Sequence, residues 1–182
     1  MTRIEPVVVS TSQDGVRRNF QAIEKLLGFV PNMMRTMAVS PAVLEGYLTL
    51  SAALRRGALP AALQEQIAMT TAEANACDYC LSAHTALGKR AGVSGAELEM
   101  NRDARSADPR VAAALRFASA LLDERGDVGD EALAEVRKAG FSDAEVAEIV
   151  AHVALNVFTN YFNRLARTEI DFPRVTARAA VA

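Results

Sequence analysis

The sequence predicts an all-α protein that folds as one domain. Alanine and leucine abound, tryptophan is absent, and β-branched residues rarely alternate with polar residues as they do in half-buried strands. A chain of 182 residues can bury a core that needs no metal or disulfide for folding. The one strand-like run, Val7 to Val9, is too short and too close to the terminus to organise a sheet. We therefore expect a compact bundle of several helices.

Helical periodicity and turn residues divide the first half of the chain into segments. A first helix follows a cap at Ser12 or Asp14 and ends at Gly28. Three segments follow: a short one after Pro31, a longer helix from Ser40-Pro41 to Gly57, and a helix that starts at Pro60 and carries Glu65. We expect this last helix to end near Asn75-Ala76, although no strong helix breaker stands there.

Capping residues, glycines and prolines divide the second half of the chain in the same way. The segment that contains both cysteines ends at Gly92, and Asn101 to Asp108 is polar and predicts a loop. Two capping boxes are expected, Ser94 with Glu97 and Ser142 with Glu145. Three more helices are predicted: one from Pro109 to Gly126, a short one that ends at Gly140, and one from Asp143 to about Thr168.

The predicted organisation is a single domain over residues 1–182. Residues 1–11 form an extended arm, residues 12–170 a helical core and residues 171–182 a tail, which we expect to be frayed from Arg174 onward. Because neither a repeat nor a linker interrupts the core, a second domain is not expected.

Charge and cysteine content exclude several classes of function. The net charge is −2 with a pI near 5.8, and basic residues are interspersed with acidic ones, so we expect no nucleic-acid partner. No stretch approaches the roughly 20 apolar residues of a membrane span, and no signal peptide is visible. Two cysteines close in sequence are unlike a secreted disulfide framework. We therefore expect a soluble protein of the reducing cytoplasm, with no membrane partner.

The residues best suited to chemistry lie between Glu65 and His84. This stretch holds both cysteines, Cys77 and Cys80, and one of the two histidines of the chain. If the segment from Cys77 is helical, Cys80 and His84 fall on the same side as Cys77. Glu65 lies in a run of small and apolar residues and is therefore expected on a well-buried helix.

The C-x-x-C pair has three interpretations. It can be a redox dithiol, half of a zinc site or two inert buried thiols. A zinc site lacks ligands, because only His84 and the distant His152 remain, so we expect no metal and no tightly bound cofactor. A thiol at a helix N-terminus near an imidazolium has a lowered pKa, which favours the redox interpretation.

In that interpretation the four residues have different roles. Cys80, four residues before His84, is placed to be the activated thiol and to form a sulfenic acid with a hydroperoxide. Cys77 can condense with that sulfenic acid to a disulfide. Glu65 can carry protons to and from the pair, directly or through a water.

These positions resemble a known family. Glu65, eleven intervening residues, Cys77-Asp78-Tyr79-Cys80, three more residues and His84 are similar to the E-x11-C-x-x-C-x-x-x-H signature of alkylhydroperoxidase D-like proteins, within the carboxymuconolactone decarboxylase superfamily. The resemblance implies an all-helical subunit with the dithiol at a helix start. It also implies Cys80 as the peroxidatic cysteine and Cys77 as the resolving one, with Glu65 and His84 handling protons.

The resemblance extends to activity and partners. It implies an antioxidant peroxidase that reduces hydroperoxides with electrons from an external thiol or a lipoyl or thioredoxin-like donor, in a homo-oligomer such as a trimer, hexamer or dimer. The alternative is a dithiol-disulfide oxidoreductase or redox sensor without significant peroxidase activity. A helical scaffold with vestigial cysteines is a third class.

One position departs from the family pattern. The best-known members carry a second histidine directly before the later cysteine, where this chain has Tyr79. A phenol has a pKa of about 10 and is no base at neutral pH. We expect Tyr79 beside the site, in a supporting position, and a shorter or weaker proton relay.

Three further groups of residues allow two interpretations each. His152 is expected to be a core histidine and not a site residue. Asn156, Asn160, Tyr161 and Asn163 form a polar cluster that can line the pocket or bond across a subunit interface, and we favour the interface. The methionines Met33, Met34 and Met37 can fill the core or wall an apolar channel.

Overall fold

The protein is all-α, as the sequence predicts. A computed structural model describes residues 2–178, and within this range the chain forms nine α-helices and no β-strand. The helices are α1 (Asp14–Leu27), α2 (Asn32–Met37), α3 (Pro41–Leu54), α4 (Ala61–Ala74), α5 (Asp78–Arg90), α6 (Gly95–Asn101), α7 (Pro109–Asp123), α8 (Asp130–Lys138) and α9 (Asp143–Ala166). Among these residues, none of the helices combines the length and apolar character needed to cross a bilayer.

Two helices, α4 and α9, organise the domain. Helix α4 packs against α5, α6, α7 and α9, and α9 packs against α3, α4, α5, α7 and α8. Because α4 is contacted on several sides, most of its residues are buried, as its run of small and apolar side chains predicts. One apolar cluster surrounds the two cysteines and the other lies among α4, α7, α8 and α9.

The predicted caps are confirmed in part. Ser142 accepts a hydrogen bond from the Glu145 N–H, and the Glu145 carboxylate accepts one from the Ser142 N–H, which completes the capping box of α9. Ser94 caps α6 in the same way, but the Glu97 carboxylate turns to Ser106 and Asn101 instead, so only half of that box forms. The cap of α1 is Gln13, not Ser12 or Asp14.

The break between α4 and α5 lies where the sequence predicts it. Ala76 adopts a left-handed conformation with φ of 48°. The Ala76 N–H donates to the Glu73 carbonyl and the Cys77 N–H donates to the Ala72 carbonyl, each over 2.9 Å. This is a Schellman turn with alanine at the position that glycine usually occupies. The turn places Cys77 directly before the first residue of α5.

The N-terminal arm lies against its own chain. The Arg3 N–H donates to the carbonyl of Ala166 at the end of α9 over 2.8 Å. Val7 exchanges two hydrogen bonds with Arg35 of α2, one to the Arg35 carbonyl and one from its guanidinium. The arm therefore bridges α2 and the C-terminal end of α9.

The C-terminal segment is not frayed over residues 174–178, contrary to the sequence prediction. Its backbone N–H groups donate to side chains of α4 and α5: Val175 to Ser82 over 2.9 Å, Ala177 to Asp78 over 2.9 Å and Arg178 to Glu73 over 2.7 Å. The prediction fails because residues far upstream in the sequence supply these acceptors. Residues 179–182 of the predicted tail lie outside the described residues.

The Schellman turn generates a stability prediction. Replacing Ala76 by glycine removes the clash between Cβ and the backbone in the left-handed conformation, so we expect the free energy of unfolding to rise by about 1 kcal/mol. Ala91→Gly is the matched control, because Ala91 follows α5 with an ordinary φ of −78°. Chemical denaturation of both variants measures the difference. An equal loss of stability in both would contradict the strained turn.

Candidate active site

The two cysteines occupy the first turn of α5. Cys77 is the N-cap, and its Sγ accepts a hydrogen bond from the Cys80 N–H over 3.4 Å. Both thiols are reduced and buried, with 1% of Cys77 and 3% of Cys80 exposed. The C-x-x-C pair is therefore at a helix N-terminus, as the sequence predicts. Among residues 2–178, no three His, Cys, Asp or Glu side chains are grouped to bind a metal.

Glu65 and His84 form an ion pair between α4 and α5. His84 Nδ1 lies 2.7 Å from Glu65 Oε2, and both side chains are largely buried. Burial disfavours the charged imidazole, but the hydrogen bond and negative charge of Glu65 outweigh this effect and raise the pKa of His84. The structure thus joins Glu65 to the histidine, and the histidine is one helical turn from Cys80.

An asparagine of the α9 polar cluster, for which the sequence favoured an interface over the pocket, contacts the cysteine. Asn163 Nδ2 of α9 donates to Cys80 Sγ over 3.4 Å. Asn160, which is fully buried, lies one turn before Asn163 and receives a hydrogen bond from Asn75 over 3.1 Å. The expectation of a subunit interface is wrong for Asn160, because the side chain is fully buried inside its own chain.

These contacts make the two thiols chemically different. Burial opposes ionisation of Cys80, but the hydrogen bond from Cys77, the charge of His84 and the amides of Asn163 and Asn160 together lower the pKa of Cys80 to about 7. The hydrogen bond to Cys80, with burial and the charge of Cys80, raises the pKa of Cys77. Cys80 is therefore the more acidic of the two thiols.

Tyr79 supports the site from the side. The Met33 N–H donates to its hydroxyl oxygen over 3.2 Å, and its ring packs edge-on against Phe172 with centroids 5.9 Å apart. Burial, reinforced by the charge of Asp171, raises the pKa of Tyr79 above its ordinary value. The phenol stays neutral and holds the segment around Met33 and Phe172 onto α5.

An apolar pocket of about 300 Å³ leads to Cys80. Its walls include Leu27, Phe29, Met33, Met34, Leu87 and Phe172, and the Glu65 and His84 side chains also line it. Met37 lies in the core instead, so the three methionines divide between the two predicted roles. His152 and Asn156 border the pocket from α9. His152 is 5% exposed, and burial lowers its pKa, which keeps the ring neutral.

Comparisons with known proteins agree with this architecture. The sequence model of the Carboxymuconolactone decarboxylase family matches residues 41–120, which include α3 to α6. No curated protein matches the chain.

Solved structures match over nearly the whole chain. An uncharacterized peroxidase-related protein with an alkylhydroperoxidase AhpD core, from Ralstonia eutropha JMP134, has a TM-score of 0.86 and 23% identity and covers 93% of this chain and 92% of its own. A peroxidase-related protein from Silicibacter sp. TM1040 has a TM-score of 0.79 and 22% identity, covering 93% and 94%. The debrominase Bmp8 has a TM-score of 0.80 and 25% identity, covering 94% and 93%.

The fold and the site define an all-helical protein with a C-x-x-C pair at the start of a buried helix. The chain resembles the carboxymuconolactone decarboxylase family over residues 41–120, and its fold is of the alkylhydroperoxidase D-like type.

The ion pair generates a prediction about thiol ionisation. Glu65→Gln removes the charge that raises the pKa of His84, so the pKa of the ring falls and its charged form stabilises the Cys80 thiolate less. We expect the pH midpoint of Cys80 alkylation to move upward from about 7 by about one pH unit. Alkylation by iodoacetamide at a series of pH values, followed by peptide mass spectrometry, measures this midpoint.

The matched control is Glu73→Gln. Glu73 is also on α4 and also pairs with a cation, Arg102, at 2.7 Å, but it lies away from the pocket. The same midpoint in wild type and Glu65→Gln would show that the ion pair does not act on Cys80.

Proposed function

We propose that this protein is a dithiol peroxidase that reduces hydroperoxides through Cys80 and Cys77. The observation that carries the proposal is a buried thiol with a pKa of about 7, at the end of an apolar pocket and one helical turn from a second thiol. A thiolate fraction near one half at neutral pH combines ionisation with good nucleophilicity.

The first step is attack of the Cys80 thiolate on the terminal oxygen of the hydroperoxide. The S–O bond forms as the O–O bond breaks, and the leaving alkoxide takes a proton from the His84 imidazolium. The product is an alcohol, and Cys80 becomes a sulfenic acid. Glu65 stabilises the imidazolium before the step and receives the hydrogen bond of the neutral ring afterwards. In this proposal Glu65 acts through His84. It does not exchange protons directly with the cysteines, which was one of the two routes considered above.

The second step is attack of Cys77 on the Cys80 sulfenic acid. The S–S bond forms, the S–O bond breaks and the oxygen leaves as water, with one proton from Cys77 and one from the sulfenic hydroxyl. The hydrogen bond to Cys80 and the negative charge of Cys80 help to raise the pKa of Cys77. Because a sulfenic acid is neutral, Cys77 becomes easier to ionise only after the peroxide has reacted.

The pocket favours an organic hydroperoxide. Aromatic and aliphatic side chains form most of its wall, and about 300 Å³ accommodates a small apolar group next to Cys80. Two electrons must then return to the disulfide from an external thiol or a lipoyl or thioredoxin-like donor. The cytoplasm is the compartment that fits this cycle, and the homo-oligomer implied by the sequence resemblance belongs to the same proposal.

Stopped-flow oxidation of the reduced protein tests the proposal. We expect cumene hydroperoxide to consume two thiols per chain and to react faster than hydrogen peroxide, because it gains apolar contacts in the pocket. Cys80→Ser should abolish the reaction. Cys77→Ser should stop at a sulfenic acid on Cys80 that dimedone traps, since the resolving thiol is missing.

Slow oxidation by both peroxides, with fast exchange against a disulfide, would contradict the peroxidase. It would support the dithiol-disulfide oxidoreductase or redox sensor instead. A Cys77→Ser/Cys80→Ser variant indistinguishable from wild type in both assays would leave only a structural role.

A halogenated aromatic is a second candidate oxidant. The structure of a cysteine-to-alanine variant of Bmp8 in complex with 2,3,4-tribromopyrrole also matches this chain, with a TM-score of 0.79. The pocket here has aromatic walls from Phe29, Tyr79 and Phe172, which suit a flat ring. Reductive debromination would convert the dithiol and the C–Br bond into a disulfide, a C–H bond and bromide with a proton. Bromide release from 2,3,4-tribromopyrrole, absent in Cys80→Ser, is the expected result for this candidate.

A further inference from the structure

The two thiols border different cavities. Cys80 lies at the apolar pocket, whereas Cys77 lies at a second cavity of about 730 Å³, lined by residues at the start of α5 and the end of α9. Cys80 does not line the second cavity, and Cys77 does not line the first, within residues 2–178. The dithiol therefore connects two spaces with different chemical character.

The second cavity carries a surplus of positive charge. Arg164, Arg167 and Arg174 line it together with two carboxylates, Asp78 and Glu169. Asp78 already accepts a hydrogen bond from the Ala177 N–H over 2.9 Å and lies 4.0 Å from Arg174. Arg167 is exposed at the end of α9, and the side chain of Arg174 is 67% exposed, so both guanidinium groups can reach a bound molecule.

We propose that this cavity is the binding site of the electron donor, a low-molecular-weight dithiol that carries a carboxylate. The inference rests on the redox dithiol of the proposed function and adds the side from which the electrons enter. A volume of about 730 Å³ is within the range of small-molecule sites. Arginine binds carboxylates with paired N–H donors, which would hold the donor above Cys77.

Thiol–disulfide exchange also favours attack of the donor on Cys77. A donor thiolate attacks Cys77 Sγ, the S–S bond breaks and Cys80 leaves as a thiolate. The second donor thiol then attacks the mixed disulfide and releases Cys77, so the donor becomes a cyclic disulfide and two electrons pass to the protein. Exchange is fastest when the leaving thiol has the lower pKa, and Cys80 is that thiol.

Two donors that differ only in charge test the site. The disulfide form is prepared with diamide, so the test does not depend on reaction with peroxide. Dihydrolipoate and dihydrolipoamide have the same dithiol, but only the first carries a carboxylate. We expect dihydrolipoate to reduce the wild-type disulfide about fivefold faster at low salt, with the preference lost at high salt. Quenched alkylation and intact-mass measurement follow the reduction.

The double variant Arg167→Gln/Arg174→Gln should reduce the ratio of the two rates to about one. Its matched control is Arg116→Gln/Arg125→Gln, which removes two exposed arginines elsewhere; Arg125 has φ of 55° and Arg167 has φ of 50°, so the backbone conformations agree. A ratio of one in wild type, or a preference that survives in the Arg167/Arg174 variant, would overturn the site.

A monothiol identifies the sulfur that is attacked. Mercaptoacetate forms a mixed disulfide that persists when iodoacetamide blocks the released thiolate. We expect mercaptoacetate on Cys77 and the alkyl group on Cys80 in peptide mass spectra, and the reverse assignment would overturn the inference. If hydroperoxides fail to oxidise the protein but both results above hold, the peroxidase proposal fails and the donor site stands.

Discussion

The site depends on stabilising a charged sulfur that is shielded from water. Burial by itself would raise the pKa of Cys80, so each compensating group must reach the sulfur at close range. Three helices supply these groups: Cys77 caps α5, Asn163 comes from α9, and Glu65 on α4 raises the pKa of His84. Hydrogen bonds act only over short distances, so the mutual packing of α4, α5 and α9 sets the reactivity of the thiol.

The sequence could predict the parts of the site that depend on local geometry. Cys80 and His84 are four residues apart on one helix, and their proximity follows from the helical repeat alone. Capping residues and prolines predicted most helix boundaries, because they too are local features of the sequence. The partner of Glu65 could not be predicted from local geometry, because it is on another helix. The sequence placed it on a buried helix, and the structure showed that it pairs with the histidine.

The remaining features depend on contacts between distant residues. Asn163 lies 83 positions after Cys80, and only the crossing of α9 over α5 brings the amide to the sulfur. The segment 174–178 finds its acceptors on α4 and α5, so its polar composition alone suggests a free tail. Ala76 adopts a conformation that usually marks glycine, because the Schellman hydrogen bonds and the packing of both helices hold it there.

The buried amides of α9 also connect stability with the proposed cycle. Within residues 2–178, Asn163 Oδ1 is buried without a hydrogen-bond partner. Each such group costs about 1–3 kcal/mol in the folded state. A sulfenic acid on Cys80 offers an oxygen that accepts a hydrogen bond and a hydroxyl that donates one, which the reduced thiol does not. In the proposed cycle, the sulfenic hydroxyl would be a donor suited to the Asn163 oxygen that is unpaired in the reduced protein.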